Sequence, residues 1–397
     1  MSVDTAEIQL LDGNFYTRDP HRSFRWMRAN APVYWDAGGS VWGIALHEDI
    51  MAVSKDPETF CSRFSSRPDA PPIPSMINID DPDHKRRRNL VNKGFTPRRV
   101  QEHEPRIRDI CNQLIDRVAP RGACDFVHDI AAPLPMIVIG DMLGVEPADR
   151  DMLLHWSDDL LAATSMTAPP EVLQRAQQAF EEYADYNRRV VADRRRHPRD
   201  DLMSVLTHAE IDGQRLTDDE ILQEGLLILV GGDETTRHVI SGGMEQLIRH
   251  PAQRRKLIDD PSKIPVAAEE MLRWVTPIQN MNRTATRTVA LRGQTIREGD
   301  KVLLLYPSAN RDERVFDRPF DFNVEREPNN HVAFGGYGTH FCLGASLARL
   351  ELRVMFEEVL RRLPDIELAC NAPLPLHPSN FVVGIESMPV VFTSAHC

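Results

Sequence analysis

The alternation of apolar and polar positions along the chain predicts a mainly helical protein with small β-sheets. Near the start, residues 32–35 and 41–45 read as strands joined at Ala37-Gly38-Gly39, and the proline-rich stretch 67–75 must be an exposed loop or extended segment. From residue 81 to about residue 209 the pattern is largely helical, broken at Pro133 and at Pro169-Pro170. Thr217-Asp-Asp-Glu220 is a capping-box pattern, in which hydroxyl and carboxylate each accept from the other residue's backbone N–H. It opens the longest helix expected, which runs to residue 250 and is stopped by Pro251. At ~1.5 Å per residue that helix is about 50 Å long and crosses the molecule. A further helix ends near Trp274. The chain then turns β-like at 289–291, 295–296 and 301–306, punctuated by Gly293 and Gly299. A last helix follows Cys342, and short strands close the C-terminus around 381–392. No repeat, low-complexity tract or linker interrupts this order, so residues 1–397 read as a single domain.

Composition narrows the function classes. A hydrophobic content of 42% and a charged content of 27% are ordinary globular values, which exclude fibrous and disordered classes. The formal charge of −12 argues against nucleic acid as the main partner, because neutralising phosphates needs a net basic face. The stretch MSVDTAEIQLLDG has no basic region followed by an apolar one, so no signal peptide is expected. The apolar stretch 226–230 falls far short of the ~20 residues a membrane span needs, so no span and a cytoplasmic location are expected. Six cysteines (Cys61, Cys111, Cys124, Cys342, Cys370, Cys397) form no CxxC and suit free thiols in a reducing compartment.

Cys342 differs from the other five. It stands in His331-Val-Ala-Phe334-Gly-Gly-Tyr-Gly338-Thr-His340-Phe-Cys342-Leu-Gly344, before the strongly helix-forming Ala-Ser-Leu-Ala-Arg349-Leu-Glu-Leu. Glycines are needed where backbone approaches another flat object closely. A cysteine at a helix N-terminus meets free N–H groups that favour thiolate. A thiolate in a glycine-lined loop is what a cysteine-ligated haem iron requires. Midway along the longest helix stands Gly231-Gly232-Asp233-Glu234-Thr235-Thr236. Two glycines inside a helix cost roughly 1 kcal/mol each against alanine. They would allow a local kink or widening and leave room beside the backbone for a ligand such as dioxygen. An acid followed by a hydroxyl can then pass protons inward.

These two segments resemble the haem-binding loop and the central helix of the cytochrome P450 superfamily. One departure is visible: Phe334 lies eight residues before Cys342, where the usual signature has seven. The resemblance implies a fold with haem b between the long central helix and the cysteine-loop helix. Cys342 is then the axial thiolate of the iron, Glu234 and Thr235 deliver protons to bound oxygen, and Gly231 and Phe334 lie against the haem. His84 and Arg88, spaced to share one helix face, together with Arg283 and His340, match the positions that hold the two propionates. Glu270, Arg273 and Arg326 match a structural ion network beneath the cysteine loop.

The strings WSDDL (156–160), GGDETTRH (231–238), EMLRW (270–274) and GIESMPVVF (384–392) resemble the actinobacterial steroid side-chain oxidases, the cholesterol and cholest-4-en-3-one C26/C27 monooxygenases of family 142. That implies hydroxylation of a terminal methyl, carried on to the carboxylic acid, in steroid catabolism. Electrons would come from NAD(P)H through ferredoxin reductase and ferredoxin, to a monomeric enzyme. Met76, Ile77, Val230, Ile278 and Val383 would line the substrate channel, and Lys85, Arg86, Arg87 and Arg349 the face that meets an acidic ferredoxin. Two other classes remain: a peroxide-driven peroxygenase acting on fatty acids, which the Glu234-Thr235 pair disfavours, and a haem gas sensor, against which the lack of a signalling module counts.

Overall fold

The computed structural model describes residues 5–162 and 169–394. The helix expected from the capping box runs Asp218–Arg249, and both halves of the box form. The Thr217 hydroxyl accepts from the Glu220 N–H at 3.2 Å, and the Glu220 carboxylate accepts from the Thr217 N–H at 2.9 Å. Pro251 ends this central helix and also begins the next, Pro251–Asp259, because a proline in the first turn has no N–H to lose. Pro133 and Pro170 likewise open the helices Pro133–Met142 and Pro170–Arg196.

Against the central helix pack Pro133–Met142, Ile264–Val275 and Ala345–Arg362, and Glu104–Val118 lies on the first and last of these. Their apolar faces meet in one large core that contains Leu114, Ile139, Leu229, Met244 and Phe356. A five-stranded sheet lies to one side, built from β1 (Val33–Asp36), β2 (Val41–Ile44), β3 (Phe60–Cys61), β4 (Asn280–Ala285) and β5 (Lys301–Leu305) in the order β1-β2-β5-β4-β3. Only β2 and β5 pair in parallel. Smaller pairings join Val289–Leu291 to Gln294–Ile296, and Ala123–Asp125 to Pro389–Val391 and Glu367–Leu368.

β4 has no apolar alternation to betray it. Asn280, Asn282, Arg283 and Thr284 are all buried, and the two asparagines pin loops: Asn280 donates to the Asn380 carbonyl at 2.7 Å and Asn282 to the Ser65 carbonyl at 2.9 Å. Glu270, Arg273 and Arg326 meet as the resemblance implies. Arg273 bonds both Glu270 oxygens at 2.7 Å with neither side chain exposed, and Arg326 reaches Glu270 at 3.0 Å. The spare guanidinium N–H groups donate to the carbonyls of Asn310, Pro319, Asp317 and Asp321. The network thus clamps the stretch 310–326 that leads to the cysteine loop.

Candidate functional site

A cavity with mostly apolar walls lies between the middle of the central helix and the cysteine loop, with about 1480 Å³ of space including its open mouth. Cys342 forms part of one wall. Its backbone N–H donates to the Phe334 carbonyl at 3.0 Å, and the helix Ala345–Arg362 starts three residues later. Burial pushes the Cys342 thiol above its usual value, while the N–H groups of Gly344 and Ala345 and the cations Arg88 and Arg349 pull it down. The cavity reaches this residue, so it counts as exposed, yet enough protein surrounds it for burial to govern its acidity. The N–H groups at the helix start favour thiolate as expected, but burial opposes them and outweighs them. A metal ion at the sulfur reverses that balance, since a coordinated thiol is deprotonated outright. Cys61 and Cys111 are buried, Cys124 is half-buried and Cys370 exposed, all as free thiols; Cys397 lies outside the described residues.

The extra residue of the loop is taken up as an outward bulge. Tyr337 adopts a left-handed backbone (φ 57°), is 48% exposed and stacks on Phe341 at 4.9 Å, so the bond between Cys342 and Phe334 still closes. Two of the loop glycines have a packing role that the sequence did not suggest. A Cβ on Gly336 or Gly338 would collide with Ser54, so these two let the loop lie against the helix His47–Ser54. The Phe334 ring sits under the Arg349 guanidinium at 4.7 Å.

The opposite wall is one stripe of the central helix: Leu227, Ile228, Gly231, Thr235 and Val239, with Thr236 beside them. A Cβ on Gly231 would meet nothing within 4 Å, so this glycine does leave room at the cavity. Gly232 has another cause: its Cβ would lie 2.7 Å from the Ile139 side chain, so it permits close packing of Pro133–Met142. The Thr235 hydroxyl donates to the Gly231 carbonyl at 3.1 Å, and the helix stays α-helical through the glycines, without the expected widening. Glu234 does not line the cavity; it lies on the flank, paired with Arg237 at 2.6 Å.

At one end of the cavity His84, Arg88, Arg283 and His340 come together. The two imidazoles pack at 4.2 Å, and Arg88 donates to the Phe341 carbonyl. Burial, then Arg283, His84 and Arg88, hold the His340 ring down at about 2. Burial also lowers His84 and Arg283, and the His84 Nε2 is buried without a partner. Cationic and donor groups thus crowd one rim of an apolar slot, and their pKa shifts show that they gain too little from nearby acceptors to offset desolvation. Two carboxylates on a flat apolar group are what this end lacks, so the residues fit haem with its propionates toward the rim.

Met76, Ile77 and Ile278 line the cavity as expected, but Val230 and Val383 do not. Val230 sits off the 227/231/235 stripe, and Val383 belongs to a separate core with Ile8, Phe15 and Leu305. Leu227, Ile228 and Thr236 also line the cavity; the four- and three-residue spacing of Leu227 and Ile228 from Gly231 is the local signal for the first two, and Thr236, five residues on, has none. The supposed docking cations are largely spoken for: Arg86 and Arg87 pair with Glu220 and Glu224, and Arg349 with Glu269 at 2.7 Å. Among these four, Lys85 remains exposed without an ion pair. No helix among the described residues is long and apolar enough to cross a membrane.

A family model described as Cytochrome P450 matches residues 44–264 and 265–374. A protein of Mycolicibacterium smegmatis named Steroid C26-monooxygenase is 52% identical over 388 residues, which cover 98% of this chain and 96% of that one. A protein of the same name from Mycobacterium tuberculosis is 52% identical, covering 98% of both chains. Among solved structures, CYP109E1 of Bacillus megaterium in complex with testosterone superposes with a TM-score of 0.87 at 34% identity, covering 94% of this chain and 99% of that one.

Proposed function

The chain belongs to the cytochrome P450 family, and from that premise we propose that it hydroxylates the terminal C26/C27 methyl of a cholesterol or cholest-4-en-3-one side chain and carries the product on to the carboxylic acid. The observation that carries this reading is 52% identity over nearly the whole chain to two proteins named Steroid C26-monooxygenase. An apolar cavity wall and a solved relative that holds testosterone support it.

Haem held in this cavity would supply the redox chemistry for oxygen insertion into a C–H bond. Cys342 would hold its iron, and His84, Arg88, Arg283 and His340 would hold the propionates and so orient the flat group. Gly231 keeps a gap open on the far side. The Thr235 hydroxyl, next to that gap, passes a proton into the cavity, and Glu234 on the solvent flank replenishes it when it turns from Arg237. Met76, Ile77 and Ile278 exclude water and grip the alkyl tail, each buried CH₂ contributing roughly 0.8 kcal/mol. Attack on a terminal methyl rather than a weaker tertiary C–H requires tight positioning, which a narrow apolar wall can supply.

The electron donor on this reading is NAD(P)H acting through ferredoxin reductase and ferredoxin, and the protein acts as a monomer of one domain in the cytoplasm. With ferredoxin, reductase and NAD(P)H, cholest-4-en-3-one is expected to yield the terminal alcohol and then the acid, with the rings intact. Cys342→Ser should lose both this product and the thiolate-type ferrous carbonyl band. Ring hydroxylation, or preference for palmitate over sterol, would remove the substrate assignment; a surviving carbonyl band in Cys342→Ser would remove the ligand.

A further inference from the structure

A buried carboxylate of the central helix has no part in this chemistry. Glu224 stands about two turns before Gly231, and its side chain is fully buried. Its Oε1 accepts from the Met76 backbone N–H at 2.9 Å and from Arg87 Nη1 at 3.2 Å. Arg87 Nη1 also donates to the Pro74 carbonyl at 2.9 Å. Carboxylate and guanidinium therefore tie the segment 74–76 to the central helix at two points. The second oxygen, Oε2, is buried with no hydrogen-bond partner. Met76 begins the short turn Met76–Asn78, and Met76 and Ile77 line the cavity.

We propose that Glu224 is a specificity-determining positioning residue, which seats the Met76–Ile77 wall of the cavity by holding the Met76 amide against the central helix. The proposal rests on substrate occupying this cavity, whichever apolar substrate that is. Releasing the amide frees the wall and loosens the seat of whatever lies against it.

The clip carries its own pH sensitivity. Burial pushes the Glu224 carboxyl up to about 7, against the pull of Arg87 and the Met76 N–H and with a further push from Glu220. Arg86 and Arg87 are the charged side chains that reach this end of the central helix from Asp83–Val91, Glu220 shares its own helix, and the Met76–Asn78 turn offers a backbone N–H. A carboxyl that binds its proton more tightly when clipped than when solvated favours the clipped state at low pH. Raising pH from the ordinary 4.5 through about 7 therefore favours release, by up to about tenfold per pH unit.

The test is amide exchange of residues 75–78 in the haem-loaded protein, corrected for intrinsic base catalysis. Between about pH 5.5 and 8 the wild-type segment is expected to open roughly tenfold or more, and the KM for cholest-4-en-3-one to rise with it. Glu224→Gln keeps an acceptor for Met76 but cannot ionise, so both pH dependences should vanish. Glu224→Leu should raise KM about tenfold with kcat changed less than about twofold, the signature of lost positioning rather than lost chemistry. If Glu224→Leu does not fold, the Gln comparison decides. Identical pH profiles for wild type and Glu224→Gln would overturn the proposal, as would an unchanged KM in a folded Glu224→Leu. A wrong sterol assignment would show separately, as palmitate outcompeting sterol while the exchange result stands.

Discussion

Thr235 brings a single hydroxyl to the cavity wall, one turn from the gap at Gly231, with no other role visible in packing. Thr235→Ala should leave haem content and sterol binding within about twofold, because it removes one oxygen from a wall of many apolar contacts. Product formed per NAD(P)H consumed should fall by about tenfold or more, the scale of a lost proton donor, with hydrogen peroxide making up the balance. An unchanged ratio would assign proton delivery elsewhere. The residue scale was legible wherever chemistry dictates identity. Cys342, Gly231 and Thr235 were named from neighbours in the chain, and the cavity joins them. Val383 was not distinguishable from a lining residue, because an apolar side chain reads alike in a core and in a channel.

Within the central helix, two adjacent glycines make opposite predictions. Gly231→Ala meets no neighbour and gains helix propensity, so the melting temperature should hold or rise, by up to about 1 kcal/mol in stability. The added methyl enters the cavity, and carbon monoxide affinity and turnover should fall. Gly232→Ala presses on Ile139 at 2.7 Å, and overpacking of that kind costs about 1–3 kcal/mol. Melting curves of the two variants, read beside carbon monoxide titrations, separate the effects; equal melting temperatures would refute the assignment. The central helix itself was readable because its cap, its length and its terminating proline are local signals. β4 was not, because its asparagines and Arg283 are buried through partners that come from remote segments.

At the scale of the whole molecule, Glu270 joins its own helix, through Arg273, to the distant stretch 323–329. Glu270→Gln would leave Arg273 and Arg326 buried beside a neutral amide. Loss of one partner from a buried ion network costs about 3–5 kcal/mol, so the melting temperature should drop and haem be released more readily on dilution. A variant that melts within about 1 °C of wild type would show the network to be dispensable. Burial pushes the carboxyl of Glu269, one residue earlier, up, but His331 and Arg349 hold it down at about 2. Its depressed value stabilises the fold above the ordinary 4.5 and is lost as pH falls toward 2. Acid unfolding monitored from pH 5 to pH 2 should therefore lose part of its pH dependence in Glu269→Gln.

The sequence by itself determined the mainly helical class, the long central helix, the thiol at its glycine-rich loop and the acid-alcohol pair. The class and the helix rest on periodicity, a cap and a terminating proline read along the chain, and the thiol and the acid-alcohol pair on their immediate neighbours, where spacing alone sets geometry. Tertiary structure decided the remainder. It turned Gly232, Gly336 and Gly338 into packing residues for other helices, neutralised Arg86, Arg87 and Arg349 with carboxylates far away in the chain, and put Glu224 beside Met76. It also set the acidity of Cys342, His340 and Glu224, because a pKa depends on burial and on charges that approach through space, and neither is written in the local order of residues.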